Sequence, residues 1–147
     1  MAEFTESLAA GKESEKNVLE FIRNKYPKAH LVDGYFKGFD IYIPKIDKGV
    51  EVKRDYKSKY TGNLVVEVFM FDKPSGLLTT EALYWVFVTS EQHIYITPDN
   101  IKNCILLKGV KQSEFVGSGD VESKKAYLVK VKDIIEFSDK MIHSDET

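Results

Sequence analysis

Two carboxylates and a lysine, Asp40, Glu51 and Lys53, are the residues of this 147-residue sequence whose types and spacing could do chemistry. Glu51 and Lys53 lie two positions apart, so in a strand they project from the same face. A pair of carboxylates, completed by a backbone carbonyl and waters, suits Mg²⁺. The ion can lower the pKa of a water and offset charge on a phosphate, while the lysine holds that water or phosphate or acts as a base.

The alternative for this triplet is a solvated strand face, because Glu-x-Lys is common on amphipathic strands with cross-strand ion pairs. Two further carboxylates bear on the choice. Glu15 lies on the apolar face of a predicted helix, where it either reaches solvent at the helix end or supports a metal site, directly or through water. Glu67 is the single charge in Leu64–Phe71, where it either faces water at an edge or acts as a partner for Lys53 or the metal water.

A helix and a hairpin are expected to position these residues. Apolar spacing predicts a helix over about Lys12–Tyr26, which Pro27 ends. Phe39–Pro44 and Val50–Arg54 read as two strands joined by a turn. Alternation places Phe39, Ile41 and Ile43 on one face, with Asp40 and Tyr42 on the other, and the hairpin brings the two carboxylates near one another.

The remaining pattern predicts short strands and helices. They are the strand Leu31–Phe36, the strand Leu64–Phe71, the loop Lys73–Gly76, a short helix Leu78–Leu83, the paired strands Tyr84–Thr89 and His93–Thr97, a helix from Pro98 to about Leu107, the loop Gly117–Gly119, the strand Ala126–Val129 and the helix Val131–Phe137. One helix followed by strands and mixed elements indicates an α/β sandwich around a mixed sheet. We expect one domain over residues 1–147, with loose ends at 1–10 and 142–147.

Composition narrows the class of protein. The chain is 43% hydrophobic, enough for a core, and its single cysteine, Cys104, lies among apolar residues and excludes an internal disulfide. The three histidines lie far apart, which argues against a zinc site. The polar, acidic N-terminus and the short apolar runs predict a cytoplasmic protein with no membrane partner.

The charge is unevenly distributed. The net charge is −2, which does not favour a nucleic-acid partner, yet the window Lys45–Tyr60 holds six basic and three acidic residues. Taken by itself, that window is better explained by a solvated hairpin. Four basic residues are the candidate nucleic-acid contacts: Arg54, Lys57, Lys59 and Lys73. Tyr56 or Tyr60 could stack on a base.

At these positions the chain resembles the PD-(D/E)XK nuclease superfamily. Asp40, Glu51 and Lys53 match its Asp…Glu-x-Lys signature. Gly11-x3-Glu15-x2-Val18 resembles the opening helix of its Holliday-junction-resolvase-like branch, and Thr61-Gly62-Asn63…Glu67, Lys73-Pro74-Ser75-Gly76 and Tyr84-Trp85 look like phage and bacterial members of that group. The resemblance covers roughly residues 11–88, and Phe39 stands where the family often has proline.

The resemblance implies a restriction-endonuclease-like α/β/α sandwich with a central mixed β-sheet. It also implies Mg²⁺-dependent hydrolysis of DNA phosphodiester bonds, with Mn²⁺ substituting and branched or structured DNA as candidate substrates. Asp40 and Glu51 would bind the metal with the Val52 carbonyl, Lys53 would position or activate the water, and Glu15 would support the metal. Such nucleases often form homodimers. The alternatives are a catalytically silent module of the same fold that binds nucleic acid or a protein, and an interaction domain that meets no nucleic acid.

Overall fold

The computed structural model describes residues 2–33, 38–115 and 124–139. The helices are α1 (Ala2–Arg23), α2 (Ser58–Thr61), α3 (Pro98–Leu107) and α4 (Val131–Phe137). The strands are β1 (His30–Leu31), β2 (Ile41–Ile43), β3 (Lys48–Arg54), β4 (Asn63–Met70), β5 (Lys73–Pro74), β6 (Tyr84–Val88), β7 (His93–Ile96), β8 (Gln112–Phe115) and β9 (Lys124–Lys130). Short 3-10 turns cover Pro44–Ile46 and Gly76–Leu78. The chain is therefore mixed α/β, as its pattern predicts.

A five-stranded mixed sheet carries the candidate residues, in the order β1-β2-β3-β6-β7. The predicted hairpin is present, with Ile41 opposite Val50 in antiparallel β2 and β3. β3 pairs with β6 in parallel, so that Glu51 lies opposite Trp85. Parallel neighbours require a crossover connection. Residues 55–83 supply it, and they contain α2, β4, β5 and the second 3-10 turn.

The second sheet is antiparallel, four-stranded and ordered β5-β4-β9-β8. Its longest ladder joins β4 and β9 from the Asn63–Lys130 pair to the Met70–Lys124 pair, with an irregularity between Glu67 and Phe69. The predicted strands 64–71 and 126–129 are thus both confirmed and are partners of each other. β4 and β9 expose Val65 and Leu128 as cross-strand neighbours.

Two apolar clusters hold the layers together. α1 packs on one face of the five-stranded sheet, where buried residues include Val18, Leu19, Ile22, Ile41, Ile43, Val50, Val86 and Val88. The other face packs against β4, β9, α3 and α4 through residues that include Leu64, Val66, Trp85, Phe87, Ile94, Ile96, Ile101, Cys104, Val129 and Ile134. Alternation along β6 sends Trp85 and Phe87 to the second cluster. Cys104 is buried as predicted, and burial raises the pKa of its thiol to about 11.

The three longest helices lie at their predicted positions, with one main difference in the bounds of α1. α3 begins at Pro98 after Thr97, whose Oγ1 accepts a hydrogen bond from the Asn100 N–H at 3.2 Å, and α4 has the predicted bounds. α1 starts at Ala2 and ends at Arg23, so the expected loose end at residues 2–10 is helical. Alanine, glutamate and leucine in that stretch have high helix propensity, which favours a helix even where apolar residues do not recur at helical spacing. Residues 142–147 lie outside the described residues.

Several short elements differ from the prediction. The helix expected at Leu78–Leu83 is wrong, because the Thr80 hydroxyl accepts hydrogen bonds from the Ala82 N–H and the Trp85 Nε1–H instead. The loop expected at Lys73–Gly76 contains β5, and α2 and β8 are additional. Of the strand expected at Leu31–Phe36, Leu31 lies in β1 and residues 32–33 are not in a strand. Residues 34–37 and the predicted loop 117–119 lie outside the described part of the chain.

Strict alternation predicts that Phe39 shares a face with Ile41 and Ile43, but the structure places them on different faces. The Phe39 ring packs with the cluster on the opposite side of the sheet and stacks on Tyr42 with 6.0 Å between ring centroids. Gly49 makes this possible, because a Cβ at that position would collide with the Phe39 ring. The chain therefore leaves regular strand geometry just before Asp40.

Neither α1 nor any other helix within the described residues combines the length and apolar character that a bilayer span requires.

Candidate active site

Asp40 lies one residue before β2, and its carboxylate is tied to β3. Its backbone N–H donates to the Val50 carbonyl at 2.9 Å, and its Oδ2 accepts a hydrogen bond from the Val52 N–H at 2.7 Å. Because the chain departs from the ladder before Asp40, the side chain bonds the Val52 amide in place of a strand neighbour. The carboxylate is thereby held beside Glu51, the next residue in the pairing.

Glu51 presents a carboxylate that is largely removed from water. Its side chain is 20% exposed, and its Oε2 atom is buried without a hydrogen-bond partner. The Lys53 Nζ lies 3.6 Å from that oxygen, an ion-pair distance rather than a hydrogen bond. Buried polar atoms are almost always hydrogen-bonded, so a buried carboxylate oxygen without a hydrogen bond requires an explanation, and a bound ion is one of the usual ones.

Lys53 projects from the same face of β3 as Glu51, as predicted from their spacing. Its Nζ lies 5.2 Å from the centroid of the Trp85 ring on β6, and its side chain is 41% exposed. The ammonium therefore sits between a buried acidic pair and solvent. It can contact a ligand that approaches from solvent while it keeps its ion pair with Glu51.

The electrostatics of the pair are those of crowded, partly buried carboxylates. Burial raises the pKa of Asp40, against the opposing effects of the Val52 N–H and Lys53. Burial also raises the pKa of Glu51, Lys53 lowers it, and the charge of Asp40 raises it further. Lys53 thus lowers the pKa of both carboxylates. Both anions would be stabilised by an additional cation at this point.

Glu15 on α1 interacts electrostatically with Asp40. Burial raises the pKa of Glu15, and the charge of Asp40 raises it again, while Lys12 lowers it. α1 therefore places this carboxylate close enough to Asp40 for the two charges to interact. The sequence prediction that Glu15 lies on the packed face of its helix agrees with this position, and its role at a metal remains a prediction.

Glu67 on β4, in the second sheet, interacts electrostatically with Glu51. Its charge raises the pKa of Glu51, so the two carboxylates are neighbours across the two sheets. Its Oε2 accepts a hydrogen bond from the Ser75 hydroxyl at 2.9 Å, a partner that the sequence did not predict. Gly76 allows this turn, because it has φ +50° and a Cβ there would collide with the Glu67 carbonyl. The Ser75-Gly76 pair in the predicted turn is the signal that could have identified the contact.

The residues present fit a hard divalent cation. Mg²⁺ is usually bound by one or two carboxylates and keeps several waters. The unpaired Glu51 Oε2 and the Asp40 oxygen not used by Val52 supply such a pair. Within the described ranges no group of three or more His, Cys, Asp or Glu side chains is arranged to hold a metal.

A groove of about 470 Å³ opens next to Lys53. Two of the predicted nucleic-acid contacts, Arg54 and Lys57, line it together with Lys53 and Tyr56. The other two do not line it: Lys59 lies on α2, and Lys73 on β5 pairs with Met70. The structure thus brings part of the predicted basic set into one groove with Lys53.

No protein-family model, curated protein or solved structure matches this chain. The functional argument therefore depends on the geometry of the site.

Proposed function

We propose that this protein is a metal-dependent endonuclease that hydrolyses DNA phosphodiester bonds. The observation that carries the proposal is the Asp40–Glu51 pair, two burial-perturbed carboxylates of which one lies just before β2 and the other on β3. The Glu51 Oε2 is buried without a hydrogen bond and lies 3.6 Å from the Lys53 Nζ. A strand face that merely faces water would expose such groups. Perturbed carboxylates beside a lysine and an open groove are instead typical of functional sites.

The chemistry divides among this chain's residues. Asp40 and Glu51 would hold Mg²⁺ or Mn²⁺ with the Val52 carbonyl, and a bound ion would lower the pKa of a coordinated water and offset charge on the phosphate. Lys53, half-exposed on the open side, would orient that water or contact a phosphate oxygen. Glu15 would raise the negative potential at Asp40 and strengthen cation binding. Glu67 would do the same at Glu51, with its rotamer held by Ser75.

The arrangement of elements supports a restriction-endonuclease-like fold for this site. α1 packs on an antiparallel β1-β2-β3 meander, and β6 joins that meander in parallel. Acidic residues then lie at the beginning of β2 and along β3, facing away from α1. We propose that this core corresponds to the PD-(D/E)XK sandwich, with β4, β5, β8 and β9 as an addition on its second face.

A catalytically silent binding module is the second candidate. The net charge of −2 favours it, since it weakens attraction to phosphates, and the Lys53–Glu51 ion pair could be purely structural. Such a module would bind nucleic acid or a partner protein through the groove without a metal. Cleavage separates the two candidates.

The test is cleavage of labelled single-stranded, duplex, flap and four-way-junction DNA with Mg²⁺, with Mn²⁺ and with EDTA. The variants are Lys53→Ala and Asp40→Asn, with Lys102→Ala as a matched control because it is exposed and outside the groove. We expect metal-dependent products that Lys53→Ala and Asp40→Asn reduce by about a hundredfold or more and the control leaves unchanged. Folded wild-type protein that yields no product with either metal would overturn the proposal in favour of the binding module.

A further inference from the structure

The groove beside Lys53 has a basic side and an apolar floor. Three cationic side chains line it, from Lys53, Arg54 and Lys57. Val65 and Leu128 form the floor with Phe87. Val65 and Leu128 are cross-strand neighbours on β4 and β9, and each is 43% exposed. Apolar residues exposed in a concave site next to cations indicate a ligand that has both a charged backbone and flat apolar groups.

Tyr56 and Arg54 form a flat surface at the basic side of this groove, the Tyr56 platform. The Arg54 guanidinium carbon lies 3.9 Å from the centroid of the Tyr56 ring, so the two flat groups are in contact. Tyr56 is 43% exposed. Nucleobases stack on tyrosine rings and on guanidinium planes. A base in this groove would therefore meet a stacking surface on one side and aliphatic side chains on the other.

The one acidic residue in the groove is engaged by the backbone. The Asp55 Oδ1 accepts a hydrogen bond from the Ser58 N–H at 3.1 Å, and its Oδ2 accepts one from the Val65 N–H at 3.4 Å. These bonds connect the start of α2 to β4 and keep the platform next to the floor. Both oxygens of the Asp55 carboxylate are thus engaged by backbone amides that hold the groove together.

We propose that this groove binds a single-stranded segment of nucleic acid, with an unstacked base on the Tyr56 platform and phosphates on the cations. A continuous duplex keeps its base faces stacked and offers only edges and phosphates, so it cannot use the apolar floor. Because Lys53 belongs to both the groove and the candidate active site, the strand would pass the carboxylate pair. The inference rests on the proposed function for the cutting of that strand, but binding itself requires no metal.

The charge of the whole molecule agrees with this ligand. A protein with a net charge of −2 gains little from long-range attraction to DNA, so contacts with bases must supply much of the affinity. With three cations in the groove, the slope of log K against log salt for a single strand should be no steeper than about −2. Binding driven by phosphates alone would be weak and would favour duplex.

The experiment measures fluorescence anisotropy in EDTA, where cutting cannot interfere. The probes are a labelled DNA strand of about 12 nucleotides, the RNA strand of the same sequence and the matching DNA duplex. Tyr56→Ala and Leu128→Ser test the platform and the floor. Phe71→Ala and Leu106→Ser are matched controls, because these side chains are 48% and 77% exposed and lie outside the groove. Thermal unfolding verifies that each variant is folded.

We expect single strands to bind more tightly than duplex, and Tyr56→Ala to weaken single-strand binding about tenfold or more. Leu128→Ser should weaken it in the same direction, with both controls within about twofold of wild type. The DNA and RNA strands distinguish the two sources of the ligand. Equal or tighter duplex binding, absence of binding to any single strand, or equal losses in the controls would each overturn the inference. Cleavage of the same probes with Mg²⁺ is scored separately, so failure of the nuclease and failure of the groove are distinguishable.

Discussion

At the scale of single residues, the position of Glu51 in the sequence explains the environment of its carboxylate. Its spacing from Lys53 puts both on one strand face, and its partial burial leaves Oε2 without a hydrogen bond. Such an arrangement costs stability in the absence of a cation, because a buried carboxylate is poorly solvated. Proteins tolerate strain of this kind mainly where function requires it.

We expect Glu51→Gln to stabilise the protein at neutral pH in EDTA, on the order of 1 kcal/mol. The pKa of Glu51 is raised in the folded state by burial and by the facing Asp40 and Glu67 charges, and lowered by Lys53. A carboxyl whose folded pKa is raised contributes stability below its unfolded pKa and loses it as pH rises through the folded value. The advantage of the variant should therefore grow from about pH 4 to about pH 7 in urea unfolding. An advantage independent of pH, or a loss at neutral pH, would contradict this account.

Asp40 combines a charge with a structural hydrogen bond, and two substitutions separate them. Asp40→Ala removes the acceptor for the Val52 N–H and should cost about 1–3 kcal/mol in unfolding free energy. Asp40→Asn keeps an acceptor oxygen and should be at least as stable as wild type in EDTA. Both should lose metal-dependent cleavage. Equal stabilities of the two variants in denaturant titrations would show that the hydrogen bond does not matter.

At the scale of elements, the site depends on how β2, β3 and α1 approach one another. The Phe39 ring occupies the space above Gly49, and this packing directs the chain into Asp40. α1 brings Glu15 to the same place from the opposite face. The position of the carboxylates is therefore a product of contacts between elements as well as of strand alternation.

Gly49→Ala should destabilise the protein by about 1–3 kcal/mol, because the added Cβ collides with the Phe39 ring. Gly11→Ala is the matched control. It lies within α1, where a Cβ meets nothing within 4 Å, and should stabilise by about 0.5–1 kcal/mol through helix propensity. Thermal unfolding of both variants measures the difference. The same sign of effect in both would refute the packing argument.

Glu15→Gln should reduce cleavage about 10- to 100-fold if the carboxylate supports the metal site. Glu20→Gln is the control on the same helix, because Glu20 is exposed. The comparison is made as kcat/KM at several Mg²⁺ concentrations. A loss that excess Mg²⁺ partly rescues is expected, and identical activity in the two variants would remove Glu15 from the site.

Sequence patterns predicted the elements whose signals are local. α3 and α4 have apolar spacing, with a side-chain cap for α3, and β6 and β7 are apolar runs with turn residues between them. β5 and β8 were missed because they are short and polar and exist through pairing with β4 and β9, as in the Glu114–Lys125 pair. Within the site, alternation indicated Asp40, Glu51 and Lys53. It could not indicate the Ser75–Glu67 bond, which depends on a turn packing against β4.

At the scale of the whole molecule, a weakly acidic protein carries a basic groove beside a partly buried acidic pair. The net charge of −2 and a sequence pI of about 5.9 limit non-specific attraction to DNA. Binding of a cation would neutralise part of the acidic pair and allow a phosphate to approach. Metal binding and substrate binding should therefore be coupled through the Asp40–Glu51 pair.

The most direct test of the central claim is a calorimetric titration of the protein with Mn²⁺ at neutral pH, made for wild type, Glu51→Gln and the exposed control Glu20→Gln. The account predicts one site in wild type and in the control, tighter as pH rises because protons compete for the carboxylates, and no site in Glu51→Gln. No saturable binding in wild type, or equal binding in Glu51→Gln, would contradict the assignment of Asp40 and Glu51 as metal ligands.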